Sequence, residues 1–236
     1  MTTSTYAPHS ASVVLILSFA LHTGCGSSGG GGSEGSEPHP SDVPAALTSM
    51  EGEAEVAYDK ALATDLPGVK AAARAIAAGW STFKVQVLRD GADARTVDGM
   101  DAAVANLTVA SSSPDRLALA RAANGVSAWM SDLFAVYNPP VPPAVIELDY
   151  RGREVVLDAL TPDLPAAAAD LRALDEIWLN LRSQVERAGG GATVLDFDAD
   201  LVVVLEAVTA GDAGSIVVAT NALLDRVDAL EQVFSQ

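Results

Sequence analysis

The sequence predicts an all-α protein in which one antiparallel four-helix unit occurs twice, giving about eight helices after a disordered N-terminal tether. The stretch 61–94 matches the stretch 159–192 at fourteen of thirty-four positions, where unrelated segments of this composition would match at roughly two or three. Apolar residues of both stretches recur every three or four positions, as on one face of a helix. Only 5% of the residues are aromatic, so alanine, the best helix former, must fill much of the core.

The first 24 residues are predicted to be a signal peptide. No Asp, Glu, Lys or Arg occurs before Glu34, and an apolar run extends from Ala11 to Leu21. This run is shorter than the roughly 20 residues of a membrane span but has the length of the apolar region of a signal peptide. We therefore expect an exported chain.

The five residues Leu21-His22-Thr23-Gly24-Cys25 resemble the lipobox of bacterial lipoproteins, in which a cysteine after a small residue is lipidated and becomes the new N-terminus. His22 stands where that family usually has leucine, and no Lys or Arg precedes it. Cys25 is the only cysteine of the chain, so it has no intramolecular disulfide partner. The resemblance implies a lipid anchor at Cys25 and a place in the bacterial cell envelope, with cleaved secretion or a cytosolic protein as alternatives. Because position 26 is not Asp, the sorting rule of enteric bacteria favours the outer membrane over the inner one.

Residues 25–40 form the predicted tether. Gly26 to Glu37 are all Gly, Ser or Glu, and segments of this composition behave as flexible linkers because they cannot bury enough apolar surface to fold. We expect this segment to connect a lipid anchor to the helical body.

Helix start and stop signals divide each repeat into four helices. Asp65 and Asp163 are predicted N-caps with a proline in the following turn, and Ser113 and Asp212 are expected to open the last helices. The predicted helices of repeat 1 (41–137) cover 42–63, 66–89, 97–110 and 114–137, and those of repeat 2 (144–236) cover 144–160, 164–187, 194–209 and 213–234. The connections are short, which makes consecutive helices antiparallel neighbours. The link 138–143 contains four prolines, so we expect an extended, stiff connection between the repeats.

The composition narrows the possible functions. A net charge of -17 repels phosphate backbones and favours cations or basic partners, so we expect no nucleic-acid partner. All three histidines, His9, His22 and His39, precede the helical body, which excludes histidine-based catalysis and histidine-ligated metals from that body. We predict no catalytic residue, metal ligand or cofactor, although acid–base chemistry by paired carboxylates stays open. The segment Asp196 to Asp200 is similar to the start of a calcium-binding EF-hand loop, but Leu201 stands where that loop needs Gly, so we interpret it as the acidic first turn of a helix.

Two asparagines are candidates for contact with a ligand or partner. Asn124 and Asn221 occupy equivalent positions of the two repeats. They are predicted either to bridge neighbouring helices or to line one polar pocket in each repeat.

Three further residues are candidates for the same role. Trp129 is expected to be a partly exposed aromatic contact, because the equivalent position of repeat 2 carries Arg226. Arg151 and Arg153 form the densest basic spot of an acidic body, and they either pair with nearby carboxylates or bind an anionic ligand.

Together these features predict an envelope-anchored, non-catalytic helical module. Its partner is either another envelope protein or a small ligand held between helices. The alternative is a protein that binds divalent cations through carboxylates alone.

Overall fold

The computed structural model describes residues 43–235, and this part of the chain contains helices and no strand. The predicted all-α class is confirmed. The predicted signal peptide, Cys25 and the tether lie outside the described residues. The nine helices of residues 43–235 are α1 (Ala45–Leu62), α2 (Leu66–Asp90), α3 (Ala94–Ala110), α4 (Arg116–Ser127), α5 (Met130–Ala135), α6 (Pro143–Leu160), α7 (Leu164–Arg187), α8 (Gly191–Ala210) and α9 (Ala213–Phe234).

The two repeats have the same topology. In repeat 1, consecutive helices α1 to α4 contact each other and α4 returns to α1; in repeat 2, helices α6 to α9 do the same and α9 returns to α6. The N-caps Asp65 and Asp163 are separated by 98 residues, and Asp115 and Asp212 by 97. The predicted duplication of an antiparallel four-helix unit is therefore confirmed.

The N-caps explain where the helices begin. The carboxylate of Asp65 accepts a hydrogen bond from the backbone N–H of Gly68 at 3.0 Å, and that of Asp163 accepts one from Ala166 at 3.2 Å. The prediction that Ser113 opens the last helix of repeat 1 is wrong. Asp115 is the cap of α4, because its carboxylate bonds two backbone N–H groups of the first turn, while the hydroxyl of Ser113 accepts from the N–H of Asp115.

The helix predicted over 114–137 is two helices, α4 and α5, separated at Ala128 and Trp129. The N–H of Trp129 bonds the carbonyl of Val126, three residues back, where an α-helix would use the residue four back. The indole ring lies against α3, and a Cβ built on Gly99 would overlap the ring carbons of Trp129. The ring thus occupies space that only a glycine leaves open.

Helix α6 belongs to the cores of both repeats. Ile146 and Leu157 pack into the core of repeat 1, whereas Val145, Leu148 and Val155 pack into the core of repeat 2. Because α4 and α5 both contact α6, the two bundles are docked side by side along this helix.

We expect Gly99→Ala to lower the free energy of unfolding by about 1–3 kcal/mol, because the added methyl group overlaps the Trp129 ring. Gly125→Ala is the matched control, since no atom lies within 4 Å of a Cβ built there, and it should raise stability by about 0.5 kcal/mol through helix propensity. Urea denaturation measures both. Equal stability of the two variants would contradict the packing of Trp129 on Gly99.

Candidate functional site

Each repeat contains the same buried tryptophan contact. The ring N–H of Trp80 donates to Asp101 at 2.6 Å, and that of Trp178 donates to Asp198 at 2.7 Å. A cation completes each group: Lys84 pairs with Asp101, and Arg182 bonds Asp198 at 2.9 Å. These contacts join the second and third helices of each repeat. Asp101 and Asp198 occupy equivalent positions of the two repeats, as do Lys84 and Arg182, and this recurrence is the sequence signal for the contact.

The interface between the repeats is built on charged residues of α4 and α6. Arg121 on α4 pairs with Glu154 and, at 2.8 Å, with Asp158, both of which are buried on α6. The side-chain amide of Asn124 donates to the carbonyl of Tyr150 at 3.1 Å and to Glu154 at 2.8 Å. Of its two predicted roles, Asn124 therefore has that of a bridge between neighbouring helices.

Asn221 has different surroundings from its equivalent. Asn124 is buried between the repeats, whereas Asn221 lies half-buried on α9. The asymmetry arises because α4 is covered by α6. The structure does not place these two asparagines in matching pockets.

Arg153 spans the interface between the repeats and is only 8% exposed. One terminal nitrogen, Nη2, lies 2.9 Å from Glu55 on α1 and 2.7 Å from Asp149 on its own helix. Its guanidinium carbon is 5.2 Å from the ring centre of Tyr58. The side chain therefore connects the first helices of the two repeats.

Arg151 points to another part of the structure. It bonds Asp170 on α7 at 2.8 Å, and its guanidinium carbon lies 5.0 Å from the ring centre of Tyr150. The two arginines therefore form no common basic spot. Of the two predicted alternatives, pairing with nearby carboxylates is the one seen for both.

Five carboxylates on α1, α6 and α9 interact electrostatically with one another. We call them the acidic cluster: Glu51, Glu55, Asp149, Asp228 and Glu231. Burial, followed by repulsion from Glu55, raises the pKa of Glu51 to about 8. Burial also raises the pKa of Asp149, against the opposing effect of Arg153. The ion pair between Glu55 and Arg153 had a sequence signal, because the two residues carry opposite charges at equivalent positions of the repeats.

Trp129 is half-buried at the break between α4 and α5. Its ring packs on Gly99, and the guanidinium carbon of Arg95 lies 5.9 Å from the ring centre. The predicted partial exposure agrees with this position, but the ring also serves the packing of α3.

The outer face of α8 carries exposed apolar side chains. Leu195 is 67% exposed, Val202 52% and Val203 51%. The opposite face of α8 supplies the core residues Phe197 and Leu201. The helix contains four acidic and no basic residues.

A cleft of about 480 Å³ lies beside the proline link. Prolines of the link and Phe234 form part of its wall, and Asn138, Gln184 and Arg187 are its polar lining residues. The cleft therefore combines apolar walls with the cationic side chain of Arg187.

The described carboxylates are not arranged as metal ligands. In residues 43–235, no group of three or more His, Cys, Asp or Glu side chains is placed to hold a metal ion. In the segment that is similar to an EF-hand loop, Asp198 binds Arg182 and Asp200 binds Arg226. None of the helices in the described region combines the length and hydropathy required to cross a bilayer.

Comparisons with known proteins do not assign the chain to a family. No protein-family model, curated protein or solved structure matches this chain.

Removal of Arg153 tests the importance of the interface ion pairs. We expect Arg153→Ala to lower the free energy of unfolding by about 3 kcal/mol, because it leaves Glu55 and Asp149 without their cation in a buried place. Arg172→Ala is the control, since the exposed Arg172 bonds a carbonyl of its own helix, and it should change stability by less than about 0.5 kcal/mol. Urea denaturation that shows the same small effect for both variants would contradict a central role of Arg153.

Proposed function

We propose that this protein is a lipid-anchored, non-catalytic interaction module of the bacterial cell envelope, whose contact surface is the outer face of α8. The observation that carries the proposal is the run of exposed apolar side chains on that helix. The partner that fits this face is another envelope protein.

The exposure of these side chains is costly in water. Each exposed Å² of apolar surface gains about 25 cal/mol when a partner covers it. Single exposed apolar residues are common on protein surfaces, but a concentration on one helix is typical of an interaction site. Leu195, Val202, Val203 and Leu205 are all more than a third exposed and lie within three turns of one helix.

The charge of α8 specifies the partner further. The helix has no Lys or Arg, and Glu206 is exposed on it, whereas Asp198 bonds Arg182 and both Asp196 and Asp200 contact Arg226 on neighbouring helices. A partner with an apolar centre and a rim of Lys and Arg complements this face, whereas an acidic partner is repelled. The net charge of -17 of the whole chain extends the same preference.

The anchor is the lipobox-like segment that ends at Cys25. A flexible segment of the length of the Gly/Ser-rich tether spans about 20 Å on average, which holds the helical body close to the membrane surface. The lipid anchor therefore confines the contact face of α8 to partners at that surface, most simply in the outer membrane.

Lipidation is tested by metabolic labelling with a fatty acid such as palmitate. We expect incorporation into the wild-type chain and none into Cys25→Ala, because Cys25 is the only cysteine. Ser27→Ala is the control and should label like the wild type. Equal labelling of the wild type and Cys25→Ala would end the proposal of an anchor.

Partner binding is tested by capture from solubilised envelopes with the tagged chain. We expect a basic protein to be retained in low salt, and Leu195→Gln with Val202→Gln to reduce its recovery at least about tenfold, because each removes an apolar contact of the face. Val109→Gln is the control, since Val109 is 76% exposed on α3. Recovery that is unchanged by the two substitutions would show that α8 is not the contact surface.

The cation-binding alternative has its own test. A melting temperature that calcium, magnesium or manganese raises, and that a chelator restores, would favour it.

A further inference from the structure

We propose that the cleft beside the proline link binds a small aromatic carboxylate, with the carboxylate on Arg187 and the aromatic ring against Phe234 and the prolines of the link. The cleft has a volume of about 480 Å³, which is within the range of small-molecule sites in proteins. The proposal does not depend on the contact face of α8 or on the lipid anchor.

At the cleft, repeat 2 lacks a polar contact that repeat 1 has. In repeat 1, the hydroxyl of Tyr137 donates to the carboxylate of Asp90 at 2.6 Å. The equivalent positions of repeat 2 carry Phe234 and Ala188, and both residues line the cleft. The donor and the acceptor of this hydrogen bond are thus missing together. A ligand that brings a carboxylate into the cleft supplies the charge that Asp90 supplies in repeat 1.

Arg187 is the cationic residue of the cleft, and within residues 43–235 it forms no ion pair. Its Nη1 atom donates to the hydroxyl of Ser183, one helical turn earlier, at 3.3 Å. The carboxylate that adjoins it in the sequence, Glu186, is bonded to Arg182 instead. Because Arg187 is exposed, a carboxylate from solution can reach its guanidinium and accept two parallel hydrogen bonds.

The walls of the cleft provide a preformed apolar surface. Phe234 is half-buried and lines the cleft. The other apolar lining residues are the four prolines Pro139, Pro140, Pro142 and Pro143. Proline rings are rigid, so little conformational freedom is lost when a ligand packs against them. An aromatic ring fits this surface because it can also pack against the ring of Phe234.

The charges favour a ligand with a single negative charge. One guanidinium balances one carboxylate, and the side-chain amides of Asn138 and Gln184, which also line the cleft, can donate further hydrogen bonds to it. The net charge of -17 repels anions of higher charge, such as phosphates, and Arg187 repels cations. The class of ligand that fits is therefore a monocarboxylate that carries one ring.

Binding is tested with 3-phenylpropionate by saturation-transfer nuclear magnetic resonance on the full chain. We expect a dissociation constant of about 1 mM or lower. The amide 3-phenylpropanamide has nearly the same shape without the charge, and it should bind at least about tenfold more weakly. Absence of a saturable signal with 3-phenylpropionate, or equal affinity for the two compounds, would overturn the proposal.

Three variants test whether binding takes place in the cleft. We expect Arg187→Gln to weaken binding of 3-phenylpropionate at least about tenfold, because it removes the cation. Ala188→Asp should weaken it similarly, since it places the carboxylate of repeat 1 beside Arg187. Arg89→Gln changes the equivalent arginine of repeat 1 and should retain the wild-type affinity. All three positions are exposed, so the folded structure should be kept. Unchanged binding by Arg187→Gln, or an equal loss in Arg89→Gln, would show that the cleft is not the site.

Discussion

Helix α6 packs against two hydrophobic cores, and this constraint determines the chemistry of the interface between the repeats. A helix with one buried stripe can point its polar residues to water, but α6 buries Arg153, Glu154 and Asp158 as well. A buried charge without a partner costs several kcal/mol. Every one of these side chains is accordingly bonded to a residue of repeat 1, so the polar groups of α6 also fix how the repeats dock.

The two repeats keep one backbone arrangement with different side chains. Gly79 faces Met50 in repeat 1, and the equivalent positions of repeat 2 carry Ile177 and Leu148. Gly152 faces Leu224 in repeat 2, and its equivalent in repeat 1 is Ala54. Small residues oppose larger ones in both bundles. The paired residues differ in total volume between the repeats, so the surrounding side chains of the two cores must differ as well.

The helices and the duplication could be predicted from the sequence, because both depend on local signals. Asp65 and Asp163 are recognisable as N-caps without any tertiary information, and the apolar stripe of the helices repeats at a constant offset. The break at Trp129 was missed because the apolar periodicity continues through it, and its cause is a long-range contact with Gly99. The candidate site was only partly predictable. Asn124 and Asn221 are the same residue at equivalent positions, and only the docking of α6 makes one of them a buried bridge.

The contact between Glu55 and Arg153 has a consequence for self-recognition. The two residues are separated by 98 positions, the offset of the duplication, so corresponding points of the two bundles meet there. Two copies of repeat 1 joined in this way would oppose glutamate to glutamate, and two copies of repeat 2 would oppose arginine to arginine. Like charges at a desolvated seam are strongly disfavoured. The charges at this position therefore favour docking of repeat 1 on repeat 2 over docking of either repeat on a second copy of itself.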